Sequence, residues 1–294
     1  QASDMYLTVG QPATLRGDSD LVKISEHPLS ADDLENILNS ILTSRQRRDF
    51  DARMELNTAL DMGEHGRFRV NVMRQRQFPA LVIRRIVSDI PSFDQLNLPP
   101  ILEKLAMEKR GLILVTGMTG SGKSTTLAAM IDQRNRNTSG HIITIEDPVE
   151  YFHTHKKCII TQREVGIDTQ SYHIGLKNAL RQKPDVIMIG EIRDAETAKI
   201  AIQASITGHL VFSTLHTNDA AGAVTRLQDM GVEGYLISSS LLAIQAQRLV
   251  RRVCTDCVET QPITADEAQV LEIDASACPS VSRGRGCERC GQTG

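Results

Sequence analysis

The sequence predicts an α/β chain: a parallel sheet built around a phosphate-binding loop, preceded by a smaller α+β domain and followed by a cysteine-bearing tail. Three observations carry this. From residue 111 onward, apolar segments of strand length alternate with segments of helical periodicity. Gly117-Met-Thr-Gly-Ser-Gly-Lys-Ser124 lies between the first of these strands and the first helix. Two Cys-x-x-Cys pairs, Cys254/Cys257 and Cys287/Cys290, close the chain.

Residues 3–27 alternate in the strand manner through Met5, Leu7, Val9, Leu15, Leu21, Val22 and Ile24, punctuated by Gly10, Pro12 and Gly17. Ser30-Ala-Asp-Asp33 is a helix N-cap signal, and Leu34, Ile37, Leu38 and Ile41 follow at helical spacing. Further strands are expected at 67–73 and 80–87, making residues 1–89 an α+β domain. Residues 90–100 contain Pro91, Pro99 and Pro100 and read as a linker. In 101–250 the expected order is strand 111–116, helix 123–134, strand 141–146, helix 171–182, strand 185–190, helix 195–207 and strand 209–214. Strands spaced by helices predict parallel pairing with right-handed crossovers. A helical segment over 235–249 leads into the tail, residues 251–294.

Composition narrows the function classes. The 294 residues carry 33 Lys plus Arg against 36 Asp plus Glu, a net charge of −3, and a dedicated nucleic-acid binder usually shows a strong basic excess. No apolar run approaches the length of a membrane-spanning helix. The N-terminus lacks an export signal, so the cysteine pairs read as metal ligands rather than disulfides. Beginning without Met and stopping shortly after Cys290, the sequence reads as a fragment of a longer one.

Gly117–Ser124 fits G-x-x-x-x-G-K-[ST] in the strand-to-helix setting that the motif requires. Its glycines let backbone N–H groups face phosphates, and the helix N-terminus adds a favourable dipole. Lys123 is expected to reach the β- and γ-phosphates and Ser124 to bind Mg²⁺, with Gly117, Met118, Thr119, Gly120, Ser121, Gly122 and Thr125 completing the cradle for a nucleoside triphosphate. Glu191 ends a hydrophobic strand where ligands sit in open α/β sheets, so it is expected to face the metal. Thr144-Ile-Glu-Asp-Pro-Val-Glu150 places three carboxylates at another strand end, and one of them could orient a water for in-line attack. His209 and His216 flank the strand Leu-Val-Phe-Ser-Thr. For His209 a structural and a functional reading are balanced; His216 could sense the γ-phosphate or bridge to the catalytic carboxylate.

Gly117–Ser124, Thr144–Glu150, Gly190-Glu-Ile-Arg-Asp194 and Gly208-His-Leu-Val-Phe-Ser-Thr-Leu-His-Thr217 resemble, in order and spacing, the Walker A, Asp box, Walker B and His box of secretion-superfamily ATPases, the motors of type IV pili and type II secretion. The resemblance covers essentially the whole chain. It implies a RecA-like motor domain with a PAS-like N-terminal domain, ATP hydrolysis, a homo-hexameric ring and a cytoplasmic location at the inner membrane through a platform protein. It also implies Lys123 and Ser124 on phosphate and Mg²⁺, Glu191 on Mg²⁺, Glu150 as general base and His216 as sensor. The two ends resemble different branches. Residues 1–195, with Ala2-Ser-Asp4, Arg67-Phe-Arg-Val-Asn71, Arg84-Arg-Ile86 and Gln162-Arg-Glu164, are similar to pilus retraction ATPases and their paralogues. Residues 200–294, with Ala220-Ala-Gly-Ala-Val-Thr-Arg-Leu227 and Ala246-Gln-Arg-Leu-Val-Arg251, are similar to type II secretion and pilus assembly ATPases.

Residues 65–88 hold Arg67, Arg69, Arg74, Arg76, Arg84 and Arg85 without an acid. A charge run is usually a solvated face, yet guanidinium groups suit phosphate, and the family resemblance supports arginine-finger roles for Arg67, Arg69 and Arg84. Cys254, Cys257, Cys287 and Cys290 supply four thiolates, enough for a closed structural Zn²⁺ site. Their 29-residue gap matches the tetracysteine element of the secretion and assembly branch. Cys158 and Cys278 read as packing residues. Two rival classes are a RecA-like nucleic-acid motor or zinc-bearing DNA-binding protein and a P-loop kinase. Against the first, residues 248–294 balance six Arg with seven acids; for the second, no phosphoacceptor site or lid is visible.

Overall fold

A computed structural model describes residues 4–17, 20–86, 89–274, 276–277 and 280–294, leaving aside the side chain of Glu64. Cys278, residue 87 of the expected strand and the Ala2-Ser3 of the branch resemblance lie outside these residues. The chain divides into two compact units, residues 1–248 and 249–294.

The first unit opens with an antiparallel sheet. Strands β1 (Asp4–Thr8), β2 (Thr14–Arg16) and β3 (Leu21–Lys23) precede helices α1 (Ala31–Ile41) and α2 (Ser44–Arg53), and β4 (Glu55–Asp61), β5 (Arg67–Gln75) and β6 (Phe78–Ile86) follow. The strand order is β3-β2-β1-β6-β5-β4. Ser30 caps α1 as its sequence implies, exchanging hydrogen bonds with Asp33 in a capping box. Leu34, Leu38 and Phe50 of the two helices pack on Leu7, Val70, Val72 and Leu81 of the sheet. Two elements here have weak sequence signals. Helix α2 (Ser-Arg-Gln-Arg-Arg-Asp-Phe-Asp-Ala-Arg) buries only Phe50, so it carries no apolar stripe. Strand β4 has a ragged burial pattern and buries only Thr58.

The proline-rich stretch expected to be an irregular linker holds a short helix, α3 (Phe93–Leu96), capped by Ser92 with Gln95 in a capping box. Its Phe93 is buried in the core of the following sheet, so this stretch belongs to that layer. Pro100 then stands at the N-cap of α4 (Ile101–Ala106), where a missing N–H is harmless.

The second sheet is built from β7 (Gly111–Thr116), α5 (Lys123–Asn137), β8 (Gly140–Glu146), β9 (Cys158–Glu164), α6 (Tyr172–Ala179), β10 (Val186–Ile189), α7 (Ala195–Ile206) and β11 (Leu210–Leu215). Then come α8 (Ala220–Asp229), α9 (Gly234–Ser240) and β12 (Leu241–Ala246). The strand order is β12-β7-β11-β10-β8-β9, parallel at every pairing. Alternate strand residues serve two cores. Leu112, Leu114, Ile143, Ile187 and Val211 meet α6, α7 and α9 on one face, while Ile113, Val115, Ile142, Met188 and Phe212 meet α4 and α5 on the other. Covering both faces is what makes these strands read as near-continuous apolar runs. It also leaves every strand's carboxyl end on one rim.

The helix expected over 235–249 is overturned: it stops at Ser240, and residues 241–246 form edge strand β12 beside β7. Ser238, Ser239 and Ser240 donate their hydroxyls to the carbonyls of Tyr235, Leu236 and Ile237, weakening continuation of the helix. The exposed edge of β7 supplies the backbone partners that the helix would have supplied.

The second unit contains β13 (Val258–Pro262), α10 (Ala265–Val270) and β14 (Ser280–Gly284), with β13 and β14 antiparallel. Among its described residues only Cys257 and Ala268 are buried.

Candidate functional site

The phosphate loop leaves β7 at its carboxyl end and turns into α5. Gly117 adopts φ +144°, and a Cβ there would lie 2.3 Å from the Gln247 carbonyl and 2.6 Å from Ser121 Oγ, so only glycine fits. Gly122, also left-handed at φ +86°, is the N-cap of α5, and it aims the first helical N–H groups at the loop. Ser121 and Lys123 are buried, Ser124 and Thr125 half-buried, and Met118, Thr119 and Gly120 exposed at the crest. The Lys123 ammonium donates to the carbonyls of Gly117 and Met118, each at 2.9 Å. Burial lowers its pKa, opposed by the fields of Glu150 and Glu191. The motif thus brings a desolvated ammonium, two carboxylates and a helix N-terminus together.

Glu191 lies just beyond β10. His216 Nε2 stands 3.1 Å from its Oε2, and Arg193 pairs with its other oxygen. Burial would raise the Glu191 pKa, but Arg193 and then His216 outweigh it and hold the carboxyl below its ordinary range. The carboxylate is therefore charged, as a ligand for a hard cation must be. Arg193 also lies 4.0 Å from Asp147, spanning from Glu191 to the loop after β8. His216 thus pairs with the carboxylate of Glu191 at the strand ends. His209 sits at the opposite end of β11: its backbone N–H and Nδ1 both approach the Ala204 carbonyl, and its own carbonyl accepts from Gly111. It closes the turn after α7 and is remote from the strand-end rim.

The three carboxylates at the end of β8 diverge. Glu146 is buried, accepts from Thr144 Oγ1 at 2.6 Å and from Gln162 Nε2 at 3.2 Å, and also receives the Glu150 backbone N–H. Burial raises it to about 7. It organises the loop from within. Asp147 and Glu150 are exposed, and Glu150 acts on Lys123 through space.

From the N-terminal sheet, the β5–β6 register sets Arg69 opposite Arg84 and Arg67 opposite Ile86. Burial raises the Glu164 pKa, and Arg69 lies close enough to oppose part of that rise. Arg84 donates to buried Asp4 at 2.7 Å and feels Glu150 more weakly. The Arg67 guanidinium lies 4.1 Å over the Phe152 ring, within cation–π range, and 3.7 Å from Asp61. All three arginines face acids or an aromatic ring of the second sheet and its loops or of their own sheet.

Gln247 carried no assigned role in the sequence. Its amide donates to the Ser121 carbonyl at 2.7 Å and accepts from Thr126 Oγ1 at 2.9 Å, while its backbone N–H reaches the Thr116 carbonyl. It braces both ends of the phosphate loop from the end of β12, a partnership across 126 residues that no local pattern reveals.

In the second unit the Sγ atoms of Cys254, Cys257, Cys287 and Cys290 all lie within 4.8 Å of one another, with Cys254–Cys287 at 3.8 Å, Cys257–Cys290 at 3.9 Å and Cys287–Cys290 at 3.7 Å. Four sulfurs at 2.3 Å from a common centre would be separated by about 3.8 Å. The backbone N–H groups of Cys287 and Gly294 donate to Cys290 Sγ, each at 3.2 Å. The first of these donations leads in drawing the Cys290 thiol down to about 6, whereas burial pushes Cys257 up to about 12. Cys158 is buried in β9, donates to the Thr138 carbonyl at 3.0 Å and takes no part in this cluster.

On the carboxyl rim of this parallel sheet, the phosphate loop and the charged carboxylate paired with His216 place the chain among P-loop nucleotide-binding proteins. Residues 15–294 match the model of the type II/IV secretion system protein family, and the chain belongs to that family. It is 44% identical over 277 residues to the type IV pilus ATPase PilU of Pseudomonas aeruginosa, spanning 90% of this chain and 72% of that protein. With the type II secretion system protein E of Aeromonas hydrophila it shares 51% identity over 194 residues, 66% of this chain but 38% of that protein. Among solved structures it resembles the pilus retraction motor PilT with bound ADP, at a TM-score of 0.81 and 43% identity, covering 85% of this chain and 75% of that one. Among the described residues no helix is long and apolar enough to cross a membrane.

Proposed function

We propose that the chain is the ATP-hydrolysing motor of a type IV pilus or type II secretion machine, working as a homo-hexamer at the cytoplasmic face of the inner membrane against a platform protein. The observation that carries this is the convergence of Lys123, Glu191 with His216, and the Glu150 loop on one rim. The family relationship and the likeness to an ADP-bound motor support it.

In this reading residues 1–89 form a PAS-like domain, 90–100 the connection, 101–250 a RecA-like motor and 251–294 the zinc element. Lys123 and the loop N–H groups bind the β- and γ-phosphates, displacing the lysine from the Gly117 and Met118 carbonyls. Ser124 and Glu191 offer the oxygen donors that Mg²⁺ prefers; when bound, it neutralises charge on the phosphates. Glu150 accepts a proton from the attacking water as the bond to the leaving phosphate oxygen breaks. His216 reports the state of Glu191 through their shared hydrogen bond. Arg69 and Arg84 supply guanidinium groups from the N-terminal domain, and Arg67 braces the same loop through Phe152. The tetracysteine geometry fits Zn²⁺, which would be held by Cys254, Cys257, Cys287 and Cys290 as a structural ion.

The test is ATP hydrolysis by the purified chain with Mg²⁺, with and without the cytoplasmic domain of its platform protein. Stimulation by that domain, and none by DNA or RNA, is expected; stimulation by nucleic acid alone would overturn the proposal.

A further inference from the structure

Glu150 is exposed, so its position comes from the loop that carries it. That loop, between β8 and β9, is tethered along its length. The Val149 N–H donates to Glu164 Oε2 at 3.1 Å and the Glu150 N–H to buried Glu146. Gln162 accepts from the His153 N–H at 2.8 Å and donates to the Tyr151 carbonyl at 2.9 Å. These bonds tie the loop to its own two strands. The far end of the loop meets the last turns of α5, where Asn135 Nδ2 donates to the Thr154 carbonyl at 2.8 Å and Asn135 Oδ1 accepts from the Lys156 N–H at 3.1 Å. Beside Glu150 the loop meets the first turn of that helix, where the Tyr151 hydroxyl lies 2.8 Å from Thr125 Oγ1. Thr125 follows Ser124 in the first turn of α5, the helix that presents the phosphate loop.

We propose that Tyr151 is a positioning residue for hydrolysis, its hydroxyl tying the Glu150 loop to the first turn of the phosphate-loop helix. The inference rests on the reading of Glu150 as the base. Tyr151 is the next residue in the chain after Glu150, and a tyrosine ring has only two side-chain torsions. Fixing the ring tip on α5 therefore fixes the backbone beside Glu150 relative to the phosphates. Displacement of a reacting group by about 1 Å can cost on the order of a hundredfold in rate, and neighbouring bonds that hold a functional group set its precision. Losing one of several tethers is expected to cost less.

Tyr151→Phe and Thr125→Val each delete one hydroxyl and keep the side-chain shape. Each is expected to lower kcat roughly tenfold; in Tyr151→Phe, whose hydroxyl lies outside the nucleotide cradle, KM for ATP and the affinity for a fluorescent ADP analogue are expected to stay within about twofold. Because the two hydroxyls make one bond, the double variant is expected to be no slower than either single one. In Glu150→Gln, followed under single-turnover conditions, adding Tyr151→Phe is expected to change the residual rate less than about twofold. Unchanged kcat in both single variants would overturn the proposal. So would weakened ADP binding at unchanged kcat, or a full tenfold further loss in the Glu150→Gln background, which would show that the hydroxyl acts apart from the carboxylate. Full activity of Glu150→Gln on its own would instead remove the base reading, and the proposal with it, whatever the Tyr151 result.

Discussion

The parallel sheet and the cysteine tail hold their chemistry in place by opposite means. In the sheet, strands buried on both faces deliver Lys123, Glu191, Glu146 and His216 to one rim, so the site is a by-product of a large aliphatic core. The tail has almost no core: among its described residues only Cys257 and Ala268 are buried. There the four cysteine sulfurs lie within 4.8 Å of one another, and in the proposed reading they do the holding. Where burial is ample, a site can be altered without loss of fold; where it is scarce, ligands and fold are one thing.

The largest effect is expected in the tail. The proposed structural zinc would contribute about 10–16 kcal/mol to a small element of this kind, so chelation or Cys254→Ser should collapse hydrogen-exchange protection across residues 251–294. Protection of β7, β10 and β11 should not change. Retained zinc and retained protection in Cys254→Ser would break the contrast. In the sheet the converse holds: Lys123→Ala should lower ATP turnover by roughly 1,000-fold while circular dichroism stays that of the parent.

A third test uses pH. Burial raises Glu146 from an ordinary 4.5 to about 7, so between those values the folded state holds a proton that the unfolded chain has released. Stability from this group is full below about 4.5 and is lost as pH climbs through about 7, by at most roughly 3 kcal/mol. Glu146→Gln should flatten the thermal midpoint against pH over that window, and an unaltered slope would contradict the assignment. The smallest effect belongs to Gln247: Gln247→Ala removes the brace on the phosphate loop and should cost about 1–3 kcal/mol, read as weaker ADP binding with the second unit unaffected.

Much of the sheet was legible because its signals are local. The phosphate-loop glycines, the apolar runs and the carboxylate closing β10 each lie within a few residues of what they determine. What was missed depends on distant partners. Strand β12 reads as a helix until the open edge of β7 is known, and Gln247 acts on residues far back in the chain. Helix α2 and strand β4 lack clean apolar periodicity, so pattern alone does not reveal them. Arg67 and Arg84 rest on Phe152 and Asp4, contacts that depend on how the sheets pack and that no local pattern reveals. The cysteine spacing pointed to one cluster, and the folded chain does gather the four sulfurs.

At the centre of the site stands Glu191, the charged carboxylate held by Arg193 and His216 beside the phosphate loop. Its most direct test is phosphate release from ATP by Glu191→Gln, measured alongside nucleotide binding. Turnover should fall by roughly 100–1,000-fold with ATP still bound; turnover equal to that of the parent chain would contradict the site.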